Sequence, residues 1–238
     1  DIQALIDRYA GNPLALKIVA STIQELFDGD LTQFWQYGSV IFGDIADLLD
    51  QQFHRLSPVE QQIMYWLAIN REEISLSELS ADFIPKPSPK ILLEAVESLK
   101  QRCLVDVVSS IEYGSQHFTQ QPVVMEYIIE KFIEQVCEEI LQGPLILFNS
   151  HALIKTQTKD YCRNSQIRLN LQPIAEQLVG ALGHPLAVGH CLEQLMATLR
   201  AAPYRQPGYA GGNIFNLLWQ LRLDMSGYDF SNLSLWQA

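Results

Sequence analysis

The chain opens with short apolar stripes separated by polar breaks. Ile2, Leu5, Ile6 and Tyr9 recur at helical spacing. After Gly11-Asn12-Pro13 a second stripe runs through Leu14, Ile18, Val19, Ile23 and Leu26/Phe27, and it stops near Gly29. "FGDIADLLDQQFHRL" adds a third set at Ile45, Leu48, Leu49 and Phe53. Together these predict a small helical bundle over residues 1–43 and the first helix of a second unit. The step "YAGNPLALKIVAS" reads as punctuation: Gly11 allows a tight bend, Asn12 suits an N-cap, and Pro13 suits the first helical position.

From Ser57 the texture changes. "SPVEQQIMYWLAIN" opens with a capping box, Ser57 to Glu60, with proline at the first turn. "SLSELSADF" repeats the box with Ser75 and Glu78. "PSPKILLEAVESLKQRCLV" starts again on Ser-Pro and sets Leu92, Val96, Leu99 and Cys103 on one face. "LVDVVSS", a turn at "IEYGS" and "HFTQQ" read as a two-stranded hairpin. Three helices and then a hairpin is the winged-helix order, placed over residues 44–121.

A long helix is predicted from Pro122 to just before Gly143. Residues 122–222 read as a helical connector, with breaks near "YCRNSQ", "LNLQP", "LGHP" and "AAPYRQPGYAGGN". "GHPLAVG" repeats the Gly-x-Pro helix start. The period changes again in "LDMSGYDFSNLSLWQA", where Met225, Phe230 and Leu235 are five apart, with Asp224, Asp229 and Ser234 before them. Period five matches neither helix nor flat strand. It resembles the start of a pentapeptide-repeat β-helix over residues 223–238, whose central apolar residues point inward and whose few units cannot stand alone. The expected fold class is therefore mainly α: helical bundle, winged helix with a small hairpin, helical connector, and the first turns of a pentapeptide coil.

Composition narrows the chemistry. Hydrophobic residues make up 48% of the 238, enough for a sizeable core, and the formal charge is −11. That balance disfavours nonspecific nucleic-acid and anionic-membrane binding. Four scattered cysteines form no CxxC and no Cys/His cluster, so a zinc site or disulfide framework is not expected and a reducing cytoplasm fits. No signal peptide is expected, and no apolar run approaches the roughly 20 residues that cross a bilayer. The chain begins on Asp1 and stops within a pattern, which reads as a piece of something longer.

Chemical motifs are missing in the same way. No G-x-x-x-x-G-K-[ST] loop, G-x-S-x-G elbow or HExxH occurs, so this segment is not expected to be an enzyme by itself or to hold a metal. His54, His117, His151, His184 and His190 lack partners at ligand spacing and read as surface or capping residues. A DNA-reading winged helix would gather lysine and arginine, yet residues 57–120 hold nine acids against five bases.

The order of a Gly-x-Pro bundle, a winged helix and a further helical region resembles the distal half of an NB-ARC module in STAND-class signalling ATPases. The wording of "YAGNPLALKIVAS", "FGDIADLLDQQFHRLSPVEQQIMYWLAINRE", "QPVVMEYI", "FNSHALIKTQTKDY" and "LDMSGYDFSNLSLWQA" is similar to large cyanobacterial members that carry WD repeats. The resemblance implies that Pro13 lies on the adenine side of bound ADP, with Gly11 and Asn12 shaping the turn. It also implies that Gln121, in "TQQPVVMEY", stands where the family's phosphate-sensing histidine stands, with Pro122 at the next position, the aspartate's place. Glutamine can hydrogen-bond a phosphate but cannot become cationic.

ADP or ATP would be held only together with an upstream nucleotide-binding domain. Downstream repeats of the same chain would be the other partner, and a homo-oligomer would form on activation. The implied role is regulatory coupling within a nucleotide-switched ATPase. The alternatives are a DNA-binding winged-helix regulator and a helical interaction scaffold. The acidic balance predicts that duplex DNA is not retarded by this chain even at low salt. A mobility-shift titration checks it, and retardation with a steep salt dependence would favour the DNA reader.

Overall fold

A computed structural model describes residues 2–9, 11–38, 45–109, 116–201 and 207–238. The boundary expected near residue 43, the hairpin turn at 111–115 and the loop at 202–206 lie outside them. The fold is mainly helical with a small antiparallel sheet. In chain order it has α1 (Ile2–Arg8), α2 (Pro13–Phe27), the single turn α3 (Leu31–Gln33), α4 (Ile45–His54), α5 (Pro58–Asn70), β1 (Ile74–Ser75), α6 (Leu76–Asp82), α7 (Pro89–Gln101), β2 (Asp106–Ser109) and β3 (Gln116–Thr119). Next come α8 (Pro122–Gln142), the short turn α9 (Leu147–Ser150), α10 (Asp160–Gln166), α11 (Gln172–Leu182), α12 (Pro185–Ala201) and α13 (Ala210–Gln220). No helix among the described residues is long and apolar enough to cross a membrane.

Local chemistry sets the helix starts. Both capping boxes form: the Ser57 and Ser75 hydroxyls accept from the Glu60 and Glu78 amides, and each carboxylate accepts from the cap's own amide. Ser88 caps α7 by accepting from the Ile91 amide. Gly143, at φ +62, closes α8.

Helix α5 lies at the centre. Every residue from Ile63 to Asn70 is buried, so apolar surface faces outward on all sides and neighbours must cover each one. Helices α6 and α7 cover one side, α8 a second, and the stretch from His151 through α10 a third. Polar groups fasten that third side. Lys155 Nζ donates to Asn70 Oδ1 and Asp82 Oδ2, both at 2.9 Å, Gln166 Nε2 donates to the Ile69 carbonyl at 3.0 Å, and the Tyr209 hydroxyl donates to the Asp82 carbonyl.

His151 corrects the surface reading of the histidines. It is fully buried among the rings of Tyr65, Trp66 and Phe132, with Nδ1 2.9 Å from the Ser150 hydroxyl and Nε2 3.4 Å from the Gln62 carbonyl. Burial pushes its pKa down from 6.5 to about 4, so it is the neutral ring that fits.

The sheet has three strands where two were expected, in the order β1-β3-β2. Ile74 pairs with Phe118, and Val107 pairs with Phe118 from the other side. A two-residue strand has no period to read, and Ser75 serves at once as strand end and helix cap.

The connector differs from its predicted breaks. "YCRNSQ" is helical, and "LNLQP" is spanned by a π-helical turn, Ile167–Leu171, that joins α10 to α11. Pro173 lacks the amide that an α-turn would use and would crowd the carbonyl four residues back, and the wider turn relieves both. The break at Gly183-His184 is present, with His184 Nδ1 accepting from the Leu186 amide.

In the tail no strands form among the described residues, but the local geometry recurs every five. Asp224 Oδ1 accepts from the Ser226 amide and Asp229 Oδ1 from the Ser231 amide, while the Tyr228 and Leu233 amides donate to the Met225 and Phe230 carbonyls. Met225 and Phe230 pack on the core, whereas Leu235 is exposed, against its expected inward position. The tail is held against α13: the Asn216 amide donates to the Gln237 carbonyl, and Gln237 Oε1 accepts from the Thr156 amide and hydroxyl. Gly211 and Gly212 leave no room for a Cβ beside the Ser234 and Trp236 carbonyls.

The buried neutral histidine predicts a pH dependence. Between 6.5 and about 4 the unfolded chain takes up a proton that folded His151 refuses, so stability is full above 6.5 and falls as pH drops through that window, by about 3 kcal/mol. Urea midpoints measured from pH 7 to 4.5 should fall, and the fall should be shallower in His151→Gln.

Candidate functional site

The segment from Gly11 to Pro13 is a sharp junction between two helices. The Gly11 amide donates to the Ile6 carbonyl at 2.8 Å, and Gly11 sits at φ +68, a left-handed turn that ends α1. Asn12 Oδ1 then accepts from the Leu14 and Ala15 amides at 3.0 and 3.2 Å, which caps α2. Pro13 occupies the first turn with its ring exposed. It is not buried in the core, so another surface can reach it.

Gln121 stands before α8 in extended conformation (φ −66, ψ 147), at the N-cap position. Its carbonyl accepts from the Met125 amide, but its side chain makes no capping hydrogen bond. Its neighbour Gln120 does the anchoring: it is buried, and Nε2 donates to the Met64 carbonyl at 3.1 Å. The Gln121 amide is thereby left half-exposed at the rim of a cleft.

That cleft has a volume of about 350 Å³, and its lining includes Lys17, Lys100, Cys103, Asp106 and Gln121. Lys17 lies four residues after Pro13, one helical turn along the same face of α2. The structure thus brings the helix that starts at Pro13 and the Gln121 side chain to one place, although Pro13 itself does not line the cleft. Cys103 holds φ +59 where a glycine is usual, and it closes α7 with the Leu104 amide donating to the Leu99 carbonyl.

The cleft lies on a seam. Helix α2 packs on α4 within the shared apolar core, and buried Gln52 of α4 adds a polar tie: its Nε2 donates to Thr22 Oγ1 at 2.6 Å and its Oε1 lies 3.5 Å from Arg102 Nη1. Arg102 also pairs with Glu25 at 3.6 Å. On the far side of α4, Asp50 accepts from the Tyr127 hydroxyl at 2.7 Å and pairs with Lys131. Burial opposes ionisation of Asp50, but these partners outweigh it and hold its carboxyl below the usual range.

Chemically the arrangement offers two lysines and a neutral amide at one cleft, with an exposed apolar ring one helical turn before the first lysine. That set suits an anion bearing an apolar portion. It offers no nucleophile paired with a base, and no grouping of three or more metal-ligating side chains occurs among the described residues. Sequence reading missed Lys17 and Lys100. The spacing of Lys17 from Pro13 was a usable signal, whereas only folding brings Lys100 to the cleft.

Among known proteins, the chain is 47% identical over 272 aligned positions, covering 99% of its length, to an uncharacterized WD repeat-containing protein of Nostoc sp. (strain PCC 7120 / SAG 25.82 / UTEX 2576). It spans only 21% of the length of that relative. No family model matches the chain, and no solved structure matches it.

Two substitutions separate the cap from the ring. Asn12→Ala should lower stability by about 1 kcal/mol, because two helix amides lose their acceptor. Pro13→Ala should change it by no more than about 0.5 kcal/mol, since the ring is exposed and no hydrogen bond is altered. Urea denaturation of both variants measures the difference.

Proposed function

We propose that the chain is the regulatory and coupling segment of a nucleotide-switched STAND ATPase of the NB-ARC type. In this reading the exposed ring of Pro13 lies against the adenine of ADP held by an upstream nucleotide-binding domain, and the Gln121 amide faces the phosphates. The observation that carries the reading is the shared cleft: the Gly-x-Pro helix and the unused Gln121 side chain come from elements about a hundred residues apart and meet at one seam. ADP supplies a purine to be covered and phosphates to be counted, and neither contact alone would give micromolar affinity. The segment is not an enzyme by itself.

Helices α5 to α7 with the sheet β1-β3-β2 fit a winged helix, with β1 as its third strand and β2-β3 as the wing. The exposed residues of α7 include Ile91, Leu93, Glu94 and Glu97, which favours a protein-facing surface over a DNA-reading one. The recurring five-residue turns after Leu223 fit the start of a pentapeptide coil. The WD repeats in the relative's name fit a sensor downstream in the same chain. The working location is the cytoplasm, and activation would release the closed form for self-assembly.

Limited proteolysis of a polypeptide extended through the upstream region tests the proposal. ADP should protect the seam between α2 and α7, and Pro13→Ala should weaken ADP binding about tenfold, the loss of roughly 1.4 kcal/mol of apolar contact. No protection by ADP would leave a helical scaffold as the better reading.

A further inference from the structure

We propose that Lys17 and Lys100 make the cleft a polyphosphate clamp, in which one anion bridges α2 to α7 and the start of α8. Calling that anion the phosphates of a nucleotide rests on the proposed switch function; the clamp itself rests on the two lysines.

The cleft runs against the character of the chain. Acids outnumber bases 27 to 16 overall, yet two ammonium groups line this cleft beside one carboxylate, Asp106. Both lysines are exposed, and neither forms an ion pair among the described residues. Arg102, next to Cys103 of the lining, is already engaged with Glu25. Two like charges facing one volume repel until an anion lies between them, and the anion then attracts both.

The placement makes this a bridge between helices far apart in sequence. Lys17 belongs to α2, while Lys100 ends α7 and Gln121 precedes α8. An anion held by all three would bridge α2 to the α7–α8 side, adding to the shared apolar core and to the polar ties of Gln52 and Arg102. Gln121 adds a neutral hydrogen bond and no charge, so the cationic work falls to the lysines. Asp106 repels an anion from its own side of the cleft and directs it toward the lysines. A volume of about 350 Å³ takes a pyrophosphate group with accompanying water.

Calorimetric titration of the 238-residue chain with pyrophosphate at low ionic strength is the direct test. Binding is expected, it should weaken as salt rises, and Lys17→Gln and Lys100→Gln should each reduce affinity about tenfold, the loss of one charge-assisted hydrogen bond. Lys100→Arg should retain most of it. Both lysines are exposed, so the unliganded urea midpoints should stay close to that of the parent chain. No pyrophosphate binding, or affinity in both glutamine variants equal to that of the parent, overturns the clamp. In the extended polypeptide, ADP protection that survives both substitutions together would refute the clamp and leave the nucleotide switch standing. Pyrophosphate binding that needs both lysines, alongside no protection by ADP, would keep the clamp and remove the switch.

Discussion

The structure depends on one constraint: α5 presents apolar surface in every direction over Ile63–Asn70 and cannot be left with a wet side. Each large side chain there is worth about 1.5–3 kcal/mol when covered, so the helix recruits α6 and α7, α8, and the His151–α10 stretch around it. The polar groups at its end answer to the same burial. Asn70 and Asp82 are buried, and Lys155 is the cation that makes their burial tolerable. Removing one partner of such a pair costs more than the pair contributes, roughly 3–5 kcal/mol.

The same core runs from the first helices to the last. Its centre, where α5 to α7 meet the connector, includes His151, Trp66 and Tyr209. The N-terminal helices join that core through Leu14, Ile18, Val19 and Ile23, and the polar ties of Thr22, Gln52, Glu25 and Arg102 add little to it, since a partly exposed pair such as Glu25–Arg102 contributes about 1 kcal/mol or less. On the proposed function, a switch would open at the bundle seam, and the connector would travel with the winged helix.

Much of the fold was legible because it is written in local chemistry. Asn12, Ser57, Ser75 and Ser88 announce helix starts by side-chain oxygens that need no distant partner, and Gly143 announces an end. What escaped was non-local. Strand β1 is two residues long and exists only because β3 passes beside it. His151 looks polar in sequence and is buried because Tyr65, Trp66 and Phe132 converge on it from other helices. The π-turn before Pro173 reads as a break because proline usually ends a helix, whereas here packing on both sides keeps the helix going. At the candidate site the turn Gly11-Asn12-Pro13 was readable residue by residue, while the meeting of Lys17 with Lys100 depends on two helices folding together.

The glycine pair at 211 and 212 has a mechanical meaning. Main chain there rests on the main chain of Ser234 and Trp236 with no side chain as cushion. A pull or twist arriving through the C-terminal turns would meet no compliant spring before α13, and would pass through Tyr209 to Trp66 on the central helix.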